Sequence, residues 1–133
     1  MSVLIDSVTC LEMTGSAKEV ESWSEKNPEE DLYLSIITAD ELMKGVEIAS
    51  ANSRPRRLAF LEALLNQVSV LPLDESVMRI HAKFYQSIRQ HWNMQDAWLA
   101  ATALAHGCRL LTSEPDRYRS FGGLEIERWP PEG

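Results

Sequence analysis

The stretch "NMQDAWLAATALAHG", residues 93–107, decides the fold. Asn93 stands three residues before Asp96, a capping arrangement that opens a helix over 94–106, and Gly107 closes it. From Ala97 to Gly107 only His106 can carry charge, so the helix is expected to be buried, with Ala97, Trp98, Leu99, Ala101 and Leu104 in its packing. A helix of this kind needs a sheet to lie on. Its small residues allow close approach to one.

Working outward, "SVLID" (2–6) reads as a strand buried on both faces. "SAKEVESWSEKNP" follows as a surface helix, with Ser16 and Glu19 at capping-box spacing and Pro28 past the end. "LYLSIIT" (32–38) reads as a second strand and "ADELMKGVEIASA" as the helix behind it. A third helix starts near Pro55, and "VSVLPLD" (68–74) is a strand that Pro72 places at an edge or near its end. An amphipathic helix runs from Glu75 to about Gln90, and "CRLLTS" and "LEIERW" are the last two strands. Alternating strands and helices imply an α/β fold in three layers, a mostly parallel central sheet flanked by helices. The 133 residues fit one domain, with 129–133 as a loose tail.

Composition narrows the function classes. Hydrophobic residues make up 44% and charged residues 25%, the balance of an ordinary globule. The apolar run of "MSVLIDSVTC" is broken by Asp6 and has no basic leader, so a cytoplasmic protein without a membrane span is expected. Cys10 and Cys108 lack zinc-ligand spacing and read as buried small hydrophobes. His81, His91 and His106 lack ligand spacing as well, and the absence of any Walker or GxGxxG loop removes nucleotide-dependent classes. A net charge of −7 repels a polyanion unless something local reverses the field. The basic run Arg54, Arg56 and Arg57 is either a solvated helix start or a contact for RNA phosphate, and Trp92 is a candidate for base stacking.

Sites in open α/β sheets form at the carboxyl ends of the strands, and acids collect there. Asp6 ends the first strand, Glu41 follows the second, Asp96 opens the uncharged helix, and Glu114 and Asp116 follow "RLLTS". Each has a purely structural reading too. Asp96 and Glu41 could answer helix dipoles in first turns, and Glu114 and Asp116 could be loop acids. Asp6 has no evident helix terminus to cap. Like charges gathered at one edge repel unless a cation or shared proton intervenes, and carboxylate-only ligation favours Mg²⁺ or Mn²⁺, ions suited to phosphodiester hydrolysis.

The chain resembles the PIN-domain ribonucleases. "LIDSVTCLE" is similar to their opening "LIDTNVLSE", "LYLSIITADELMKGVE" to their second-strand segment, and "QDAWLAATALAHGCRLLTS" to their block "DAxIAATALxHGxxLVT". "GLEIERWPP" resembles the close of the VapC/FitB-like toxin branch. The resemblance implies a PIN-like fold and a metal-dependent endoribonuclease, the toxin of a toxin–antitoxin pair, dimeric and silenced by a cognate antitoxin protein. It also implies that Asp6, Glu41 and Asp96 are the acidic positions, with Asp6 and Asp96 the principal metal ligands. Two departures stand out: Val8 and Thr9 replace an "Asn-Val" pair, and "TSEPDRY" replaces "TRNVRDF", which leaves Glu114 or Asp116 as the fourth acid and puts Arg117 where the family has Asp. A catalytically silent module that binds RNA or a protein partner is the alternative these departures raise.

Overall fold

The computed structural model describes residues 2–88 and 93–131. Gln90, His91, Trp92, Glu132 and Gly133, and with them the proposed stacking by Trp92, lie outside the described residues.

Among the described residues five strands, β1 (Ser2–Ile5), β2 (Asp31–Ser35), β3 (Ser69–Leu71), β4 (Cys108–Thr112) and β5 (Ile126–Arg128), pair in parallel in the order β3-β2-β1-β4-β5. The chain builds outward from β1 through β2 to β3, then returns to the other side of β1 with β4 and β5. That reversal makes the carboxyl ends of β1 and β4 the switch point of the sheet, where a crevice opens. Among the described residues six helices cover the sheet: α1 (Ser7–Met13), α2 (Ala17–Lys26), α3 (Ile36–Glu47), α4 (Arg54–Gln67), α5 (Glu75–Ile88) and α6 (Met94–Ala105).

Strand alternation sorts the core. Leu4 and Leu110 point to one face, among Ala97, Leu99, Ala100, Ala103, Tyr118 and Phe121. Val3, Ile5 and Leu111 point to the other, among Trp23, Leu34 and Trp129. Full burial of each leucine contributes about 1.5–3 kcal/mol by transfer from water. Ala97, Ala100, Ala101 and Ala103 of α6 are almost wholly buried, as their small size on the sheet requires. On the outer side of α6, Trp98 stacks on His81 of α5 with ring centroids 3.6 Å apart and planes 4° from parallel. This contact gives His81 a structural role.

Three expectations change. The run 32–38 is not all strand: Ser35 leaves β2 and its hydroxyl accepts the Thr38 amide at 3.0 Å, so Ile36, Ile37 and Thr38 begin α3. β-branched residues signalled extension, and the serine cap overrode them. Helix α1 was not expected at all. Asp6 is its cap, with Oδ1 accepting the Thr9 amide at 3.0 Å, so the acid that seemed to have no helix terminus has one. Nor is Trp129 part of a loose tail: it is buried in the core, and its amide donates to the Thr112 carbonyl at 2.8 Å.

Gly107 ends α6 with φ +66°, and nothing lies within 4 Å of where a Cβ would stand. The position demands glycine for its backbone alone. Gly107→Ala is expected to cost about 1–2 kcal/mol, read as a lower urea midpoint, while a surface glycine such as Gly122→Ala changes little.

Candidate active site

Three of the sequence-nominated acids meet at the switch point. Asp6, Glu41 and Asp96 line one small cleft of about 20 Å³ together with Ser7, Thr38, Gln95, Arg117 and Tyr118. Each carboxylate arrives on a different element. Asp6 leaves β1, Glu41 rides the second turn of α3, and Asp96 lies in the first turn of α6. Position in the second turn places Glu41 beyond the reach of its helix dipole, which weakens the purely structural reading of that acid. The α6 terminus is capped by Asn93, whose side chain accepts the Gln95 amide at 2.9 Å, so Asp96 is not needed for capping.

Asp6 is 3% exposed and firmly oriented. Its Oδ2 accepts hydroxyl protons from Thr112 at 2.7 Å and Tyr118 at 3.1 Å. Burial and then the Asp6 charge push the Tyr118 phenol well above its ordinary pKa, so it stays a donor. The Thr112 hydroxyl also accepts the Glu114 amide at 3.0 Å, and Thr9 Oγ1 accepts the Ser113 amide at 2.9 Å. Together these bonds fix the loop after β4 against the start of α1. Glu41 is held more lightly, by one bond from the Ser7 hydroxyl at 3.1 Å.

Asp96 is 7% exposed and carries an arginine. Arg117 Nε donates to Asp96 Oδ2 at 2.7 Å, and its Nη1 donates to Glu114 Oε2 at 3.0 Å. These acceptors, Asp96 first, raise the guanidinium pKa further above its ordinary value. Glu114 therefore joins the group only through Arg117. Asp116 does not join: its side chain is 88% exposed and pairs with Arg119 at 2.9 Å. The 3₁₀ turn Pro115–Tyr118 turns Arg117 inward and Asp116 outward.

The donor set fits a hard divalent cation in kind. It is all carboxylate and hydroxyl oxygen, and no described residue donates to Asp96 Oδ1 or Glu41 Oε1. In spacing the group is more open, for no three acids among the described residues gather tightly enough to grasp one ion. Arg117 is the one cation among the described residues lining the cleft. Thiol chemistry has no place beside it: burial, then the nearby Asp6 charge, pushes Cys10 up to about 12.

Arg117, Tyr118 and Thr112 were not expected as members of the site. Arg117 had a sequence signal, its place on the family's Asp, but its direction had none. Thr112 and Tyr118 lie 106 and 112 residues from the acid they orient.

The profile of the PIN domain matches residues 2–123. Among characterised proteins, Ribonuclease VapC1 of Rickettsia felis is 27% identical over 130 residues, covering 95% of each chain. VapC ribonuclease Y4jK of Sinorhizobium fredii is 30% identical over 123 residues, covering 86% of each. Among solved structures, VapBC2 of Rickettsia felis bound to a DNA fragment from its promoter superposes with a TM-score of 0.87 over 97% of this chain and 99% of that one, at 15% identity.

Proposed function

Because the chain belongs to the PIN-domain family, we propose that it is a metal-dependent endoribonuclease and the toxin of a toxin–antitoxin pair. The observation that carries this reading is the meeting of Asp6, Glu41 and Asp96, from three separate elements, in one cleft at the switch point. Ribonuclease relatives that span nearly the whole chain support it.

Asp6, Asp96 and Glu41 would hold Mg²⁺ or Mn²⁺, which supplies charge neutralisation at the scissile phosphate and an activated water. The chain's own part is orientation. Thr112, Tyr118 and the Thr9 amide keep the Asp6 carboxylate fixed, and buried α6 keeps Asp96 still. Glu41, with one hydrogen bond from Ser7, has the freedom to orient the attacking water and accept its proton. Neutralisation at the cleft also offsets the repulsion between a chain of net charge −7 and RNA.

A second cleft of about 560 Å³ adjoins Glu41, with Leu11, Leu42, Val46, Phe60 and Leu61 as its apolar lining and Arg56 and Arg57 beside them. We assign it to the antitoxin, since an apolar trough with a basic margin suits an amphipathic, acidic segment. The homodimer and a cytoplasmic location belong to the same reading; no described helix is long and apolar enough to cross a membrane.

The test is cleavage of a defined single-stranded RNA with Mn²⁺ and with excess chelator. Activity should fall by about 100-fold or more in chelator. Equal cleavage in both would remove the metal from the mechanism. The ion pair of Arg117 with Asp96 favours a second reading, the silent module, which would bind the RNA in both conditions and cut it in neither.

A further inference from the structure

We propose that Arg117 is an internal competitor of the divalent cation: its guanidinium neutralises the acids of the cleft in the metal-free protein, and the ion gains the site by displacing it from Asp96. The inference rests on the metal-dependent reading above.

Three observations lead to it. The first is charge. Asp6, Glu41, Asp96 and Arg117 line the cleft, and Arg117 bridges Asp96 and Glu114 at 2.7 and 3.0 Å. A guanidinium between two carboxylates satisfies the same electrostatic need as a metal ion, so the two compete for the charge of the Asp96 carboxylate.

The second is space. With the guanidinium in place the cleft measures about 20 Å³, room for about one water molecule. Mg²⁺ and Mn²⁺ take oxygen ligands, and Mg²⁺ surrenders its waters reluctantly. An ion with part of its hydration needs the volume that Arg117 occupies.

The third is freedom to leave. The Arg117 side chain is 36% exposed and enters from a surface turn, with its guanidinium 5.9 Å from the Tyr118 ring centre. A change of rotamer returns it to solvent. Arg109, by contrast, is enclosed by its partners and has no such path. Helix α6 keeps its Asn93 cap without Arg117, so the guanidinium acts on the charge of the cleft and not on the helix terminus.

Isothermal titration of Mn²⁺ into the parent, Arg117→Gln and Arg119→Gln tests the idea under one salt condition. Arg117→Gln should bind Mn²⁺ at least about tenfold more tightly than the parent, since the competing cation is gone. Arg119→Gln removes a nearby exposed charge paired with Asp116 and should stay within about twofold of the parent. Unchanged or weaker binding by Arg117→Gln overturns the proposal, as does an equal gain from Arg119→Gln, which would mean a general field effect. Melting gives a second readout: Mn²⁺ should raise the melting temperature of Arg117→Gln more than that of the parent, and equal increments count against competition. If the parent binds Mn²⁺ and cleaves RNA while Arg117→Gln shows no tighter binding, this inference alone fails. If neither protein binds Mn²⁺ and RNA is still cut in chelator, the metal-dependent reading fails with it.

Discussion

Asp96→Asn is expected to lower RNA cleavage by about 10²–10³-fold, the loss typical of removing one preorganised charge from an active site. The substitution keeps the shape of the side chain and changes its charge. Because Asn93 caps α6, the helix should form as before, and burial of Ala97, Leu99, Ala100 and Ala103 continues to hold it to the sheet. What disappears is the carboxylate that Arg117 holds and that the proposed metal would need. Initial rates on a defined RNA, with circular dichroism confirming equal folded protein, decide the matter. A variant that cleaves as fast as its parent removes Asp96 from the chemistry. Asp6 is a poorer probe: its carboxylate also caps α1 and accepts from Thr112 and Tyr118, so lost activity there would mix chemistry with folding.

At the opposite end of the sheet, Arg109→Ala is expected to destabilise the fold by about 3–5 kcal/mol, the cost of stripping one partner from a buried ion pair. Arg109, 8% exposed, sits in β4 beside Val3. Its Nε donates to Glu127 at 2.6 Å, Nη1 to Glu30 at 2.8 Å and Nη2 to Asn27 at 3.3 Å. Glu127 in turn accepts the Trp23 indole N–H at 2.6 Å. One side chain thus ties together β4, β5, the approach to β2 and helix α2. Burial works against the charge, but Glu30 and Glu127 outweigh it and raise the guanidinium pKa. Without Arg109, the carboxylates of Glu30 and Glu127 lose the guanidinium that bridges them. Urea denaturation measures the loss, and a change below about 1 kcal/mol would place the network with ordinary surface pairs. Cleavage per folded molecule should be unaffected, because the network lies at the end of the sheet away from the cleft.

Much of the site was legible because its signals are local. Asn93 as cap, the uncharged face after Asp96 and the closing Gly107 lie within one short segment, and the structure turns them into α6. The unbroken apolar run of "SVLID", with "CRLLTS" as a later strand, placed two central strands and put Asp6 at the end of one. Less legible was the stretch after Asp6. A helix of seven residues offers too little periodicity to detect, and without it the capping Asp6 reads as an unattached acid. The start of α3 was hidden for a similar reason, since Ile36 and Ile37 favour strands until the Ser35 hydroxyl is seen to cap Thr38.

What the sequence determined by itself is therefore the order of elements apart from α1, the parallel sheet, and which acids could reach its carboxyl edge, because periodicity and caps act between residues a few positions apart. Which acids meet was decided only by tertiary structure. Asp116 and Arg117 are chain neighbours, and a single 3₁₀ turn sends one to solvent and the other into the cleft. Side-chain direction in a short loop depends on what the loop packs against. Here that is Asp6, held by Tyr118 and Thr112 across more than a hundred residues of chain.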